Sequence, residues 1–235
     1  MSSAITNPEK VIAAINDFVE LVKSKDGDRP ISFVDENSFL GNKKYGEGYK
    51  MSVAESAQNE LNFDEWDESW INSGKILERC KRAMRAKNLV NHHEIIRVGN
   101  IIDPKHEKFN PDTERVFYEI YKSKTADEER TAFENAEKFF GKHYPLIAYL
   151  FFIKDPSRFL PVSPSNFDNI FFGLDIEYKL QKHCSWENYM GFIEIVKEVR
   201  SMMQKIIPDT EIRLIDAHSC LWVIGFKEWY KEHKW

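Results

Sequence analysis

The chain lacks an apolar stretch near the ~20 residues needed to cross a bilayer. Its longest such run, Leu146-Ile-Ala-Tyr-Leu-Phe-Phe-Ile153, stops after eight residues between Pro145 and Lys154 and reads as a buried element. No membrane partner is expected. Cysteine is scarce: Cys80, Cys184 and Cys220 are scattered, no two at CxxC spacing, and three cannot all pair within one chain. With no signal segment read at the amino terminus, that usage fits a reducing cytoplasm. Neither GxxxxGK[ST] nor GxGxxG occurs, which argues against a nucleotide-driven activity. Internal repeats and low-complexity tracts are also missing. Net charge is small, −5 over 235 residues, enough for solubility and silent about partners.

Aromatics, by contrast, are plentiful. They make up 14% of the chain, with 17 Phe, 9 Tyr and 6 Trp, which supports a real core and argues against disorder. The charge is also unevenly spread. Residues 71–125 hold 12 Lys and Arg against 7 Asp and Glu, whereas residues 1–70 hold 7 against 14. A locally basic middle in an acidic chain points weakly to a phosphate-bearing partner, although a solvated helix face is the commoner cause.

Periodicity predicts a mainly α protein with at most a minor β element. Val11, Ile12, Ile15, Phe18, Val19 and Val22 repeat at three and four over 8–23, with Pro8 in the first turn and Asn7 as cap. Further helices are expected around Met51, Ala54 and Ala57, then over 75–87, 112–123, 126–140 (capped by Thr125), 145–153, 167–172 and 186–206. Residues 31–35 could form a short strand. The 88–111 stretch is ambiguous. Residues 212–224 could be helix or strand; helix is favoured, starting at Ala217 with Asp216 as cap. The Pro/Asp-rich 103–112 stretch is the best boundary candidate, dividing an N-terminal region, 1–105, from an aromatic-rich region, 106–235, unless the two form one continuous domain.

Several groupings could carry chemistry. Adjacent His92 and His93, with Glu94, would diverge on any regular element, and His106 and Glu107 do not complete a zinc spacing, so no metal is expected. Arg85 and His92 fit the loose spacing of helical HEPN-type ribonucleases, but Ala86 stands where a polar residue is preferred. Glu177-x-Lys179 with Asp168 could form a nuclease half-site only on a strand. His183-Cys184 and His218-Ser-Cys220 would need contact through space to act as nucleophile pairs. No catalytic residue and no cofactor emerges.

The basic segment offers a binding surface instead. Lys75, Arg79, Lys81, Arg82, Arg85, Lys87 and Arg97 could meet backbone phosphates, and Asn91, His92 and His93 could reach bases or sugars. Trp66 and Trp70, in an acidic setting, could stack on bases or anchor a protein partner, though burial in a core is commoner for such rings.

The strings Leu150-Phe-Phe-Ile-Lys-Asp155, Arg158-Phe-Leu-Pro-Val-Ser-Pro-Ser-Asn-Phe-Asp168, Cys184-Ser-Trp-Glu-Asn-Tyr189 and Leu214-Ile-Asp-Ala-His-Ser-Cys-Leu-Trp222 resemble an uncharacterised helical region of prokaryotic restriction-type proteins. That region often precedes an HNH nuclease or a McrBC-type motor. The likeness covers roughly 75–225 and is strongest over 145–225. It implies DNA recognition in phage defence or its evasion, with cleavage supplied by a nuclease or motor subunit, since the chain stops where such a domain would begin. The alternative is a protein–protein module: an inhibitor or a subunit of a defence complex.

Overall fold

A computed structural model describes residues 3–44, 46–85, 89 and 92–232. Among them are eleven α-helices, and the one β feature is an isolated antiparallel bridge between Ile5 and Ile176. The expected mainly α class, with at most a minor β element, holds. No described helix is long and apolar enough to span a membrane.

The chain folds as two compact units. The first gathers residues 1–50, 163–183 and 187–235; the second gathers 51–162 and 184–186. The 103–112 stretch, expected as a boundary, lies inside the second unit. Its Pro and Asp residues serve turns there: the Asp103 carbonyl accepts from the His106 N–H, and the Asn110 carbonyl from the Thr113 N–H.

In the first unit, α1 (Pro8–Asp26) begins as its sequence specifies. Asn7 Oδ1 accepts the Lys10 N–H at 3.2 Å, and Pro8 fills a first-turn position that needs no donor. Gly27 ends the helix at φ 66°, a conformation only glycine adopts freely. The expected strand at 31–35 does not form. Ser32 Oγ accepts the N–H groups of Val34 and Asp35, and Asp35 Oδ1 accepts that of Asn37, so local side chains take the donors a ladder would need. Buried Asp26 then ties the loop down by accepting the Phe39 N–H with both oxygens, at 2.9 and 3.0 Å.

The rest of this unit holds α8 (Pro164–Gly173), α10 (Leu214–Gly225), α11 (Lys227–Glu232) and most of α9 (Trp186–Ile206). Phe167 is the hinge-pin of their core. Its ring centroid lies 4.9 Å from those of both Phe192 and His218. The helix expected from Ala217 starts three residues earlier, at Leu214, because Asp216 caps from the inside: Arg213 donates its N–H to Asp216 Oδ2 at 2.8 Å.

In the second unit, α5 (Thr113–Lys122) packs against α6 (Ala126–Phe140), α7 (Tyr144–Lys154) and α3 (Lys75–Arg85). Thr125 caps α6 as expected, in a reciprocal box with Glu128. The ambiguous stretch resolves partly into α4 (His92–Ile102), which lies against α3. Nearly all of α7 is buried, with Phe151 close to Phe133, Phe159 and Trp186 at 5.2–5.9 Å. Most of α2 (Tyr49–Leu61) contributes Val53, Ala54, Ala57 and Leu61 to this core.

Candidate functional site

The basic helix α3 is fixed from below and from its start. Ile76, Leu77, Cys80 and Ala83 are buried, so the pattern at three and four turns the charged positions outward. Its first turn is capped by a residue the local sequence does not reveal. Glu114, on α5 and 2% exposed, accepts the N–H groups of Gly74 and Leu77, each at 3.2 Å. A carboxylate there satisfies two orphan donors and complements the positive end of the helix dipole.

The outward cations are not unpaired, and this corrects the expectation of a free cationic stripe. Arg79 Nη2 lies 3.2 Å from Glu65, Lys81 Nζ 3.3 Å from Asp103, and Arg82 Nε 3.7 Å from Glu60. Lys75 holds its ammonium 5.1 Å from the centre of the Trp70 ring. Backbone donation from Lys105, then the Lys81 ammonium, hold the Asp103 carboxyl below its ordinary range. These pairs remain open to solvent, with the Arg82 and Glu60 side chains 43% and 46% exposed. Exposed pairs of this kind contribute ~0–1 kcal/mol, so a competing anion displaces them at small cost.

The other proposed contacts divide. His93 is exposed on α4, the helix beside α3. Lys87 and Asn91 lie outside the described residues, as do the side chains of Arg85, His92 and Arg97. Trp66 is no contact residue. It is 2% exposed, donates its indole N–H to the Leu61 carbonyl at 2.9 Å, and sets its ring edge-on to Tyr121. Trp70 is half-buried and engaged by Lys75.

Of the residues weighed for catalysis, Asp168 serves the fold. Asp168 accepts the N–H groups of Leu180 and Gln181, at 2.7 and 3.3 Å, and so clamps the loop after α8. Lys179 is 4.0 Å from it, Glu177 is exposed, and the strand a nuclease half-site needs is absent there. All three thiols are buried, and burial raises each above its ordinary pKa, Cys184 to about 12. Alkylation of native protein with iodoacetamide at pH 8 should therefore leave all three cysteines unmodified, whereas unfolded protein takes three labels by mass. Among the described residues no group of three metal-ligating side chains converges.

Each unit also encloses an ionic cluster that the sequence did not announce. In the first, Lys50 (4% exposed) pairs with Glu47 (5%), donates to Ser219 Oγ at 3.2 Å, and lies 3.2 Å from His218 Nδ1. Since an ammonium only donates, Nδ1 is the acceptor. Tyr230 donates its hydroxyl to the other Glu47 oxygen. In the second unit, Glu129 (1%) receives a two-pronged contact from Arg158, at 2.9 and 2.7 Å, and the Lys154 ammonium at 3.1 Å.

No protein-family profile, no curated protein and no solved structure matches this chain.

Proposed function

We propose that the chain is a DNA-interaction module of restriction or phage-defence type, without chemistry of its own, that grips phosphates through the outward face of α3. One observation carries the reading: Lys75, Arg79 and Arg82 line one flank of a helix pinned by buried Ile76, Leu77 and Cys80, and Lys81 lines the other flank. Rigid presentation lowers the ordering cost of binding. The carboxylates already beside three of these cations limit affinity, because a phosphate gains only the difference between the two partners. Binding is therefore modest and strongly dependent on salt. The resemblance over 145–225 supports the same setting. The alternative, docking of a protein on Trp66 and Trp70, loses its anchor with Trp66 inside the core.

Charge reversal tests the assignment. Arg79→Glu with Arg82→Glu should weaken binding of a duplex by at least about tenfold at ~50 mM salt, since two phosphate contacts become repulsions. Arg82 is exposed and Arg79 is one-quarter exposed beside Glu65, so the unfolding midpoint should fall only modestly, and binding is compared where both proteins are folded. A double variant that shifts duplex DNA as wild type does would refute the α3 interface.

A further inference from the structure

Within the second unit, the buried side of α3 does not close fully on its neighbours. Between it and α4, α5 and α7 lies an apolar cavity of about 40 Å³, partly open to solvent. Ala83 and Met84 of α3, Val98 of α4 and Leu146 of α7 form walls of this cavity. Two residues break the apolar pattern. Tyr121 of α5 and Tyr149 of α7 line the same space, at 5% and 6% exposure. Among the described residues neither hydroxyl has a hydrogen-bond partner, although buried polar groups nearly always find one. Burial holds both hydroxyls above their ordinary pKa, so each keeps its proton at neutral pH and can donate it.

We propose that this cavity binds a narrow, neutral aliphatic molecule that carries a carbonyl oxygen, a short-chain ketone being the simplest. The two hydroxyls set the polar end. A carbonyl oxygen offers two lone pairs and brings no donor that would itself need a partner. An ion does not fit, because the remaining walls give it nothing in place of water. Volume sets the width. An apolar cavity of ~150 Å³ takes a benzene ring, so one of about 40 Å³ admits a chain and not a ring.

So few contacting atoms limit the affinity to a Kd on the order of 1 mM. The site stands apart from the DNA reading. It uses the buried side of α3 rather than the charged one, and its test contains no nucleic acid.

Saturation-transfer NMR with 2-hexanone, from ~0.1 to ~10 mM, tests the site. Wild-type protein should bind the ketone with the Kd given above. Tyr121→Phe with Tyr149→Phe keeps both rings and removes both hydroxyls. This double variant should bind at least about tenfold more weakly, with an unfolding midpoint no lower than wild type, since no hydrogen bond is lost. Ala83→Val adds two methyl groups to the wall and should block binding as well. Wild-type protein that takes up no ketone at ~10 mM would hold at most water in this cavity and overturn the proposal. A double variant that binds like wild type would overturn it too. So would a double variant with a lowered midpoint, because the hydroxyls would then have partners within the protein.

Discussion

Glu129→Ala should cost the fold ~3–5 kcal/mol, read by denaturant unfolding, because it strands a buried ammonium. Lys154 is only 8% exposed at its side chain, and Glu129 is its charge partner there. The Ser123 carbonyl and hydroxyl, both at 2.6 Å, hydrogen-bond the ammonium but cannot neutralise it. Arg158, half exposed, loses its partner yet can turn to water. Removing both buried charges, as Glu129→Leu with Lys154→Met, should cost much less than the sum of the single changes. The pH dependence of the single variant has a defined sign. Burial already lowers the Lys154 pKa from its ordinary value, and hydrogen bonding to Glu129 opposes that shift. Without Glu129 the folded state holds the Lys154 proton less tightly than the unfolded chain does. Stability of Glu129→Ala relative to wild type should therefore recover as pH rises from 7 toward 10.

Lys50→Met should have a similar effect in the other unit. Glu47 would keep the Tyr230 hydroxyl but lose the Lys50 ammonium, and Ser219 and His218 would each lose a donor. A loss of ~3–5 kcal/mol is expected at pH 7. Glu47→Gln with Lys50→Met should recover part of the loss at pH 7. Single variants as stable as wild type at pH 7 would mean that neither pair is a buried ion pair.

These clusters mark the limit of what the sequence discloses. Helices with a strong local pattern were legible: Asn7 and Pro8 start α1, and Thr125 with Glu128 starts α6. The resemblance-bearing strings were recognisable as apolar segments with fixed polar residues. Their polar residues now read as fasteners: Asp168 holds the Leu180 and Gln181 amides, Asn188 holds the Lys179 carbonyl, and Asp216 caps α10. What stayed hidden depends on partners far away in the chain. Arg79 finds Glu65 at a separation of 14 residues, Lys81 finds Asp103 at 22, and Lys50 finds His218 at 168. No local rule couples such positions, so a charged helix read as a free stripe became a partly neutralised one. The strand expected at 31–35 failed for a local reason instead, since Ser32 and Asp35 capture the amides it required.

The DNA reading rests on cations that must exchange carboxylates for phosphates. Fluorescence anisotropy of a labelled duplex, titrated with wild-type protein from ~25 to ~200 mM salt, measures that exchange directly. Three or four phosphate contacts give a slope of log Kobs against log salt on the order of −3. No detectable binding at ~25 mM salt, or binding that salt leaves unchanged, would contradict it.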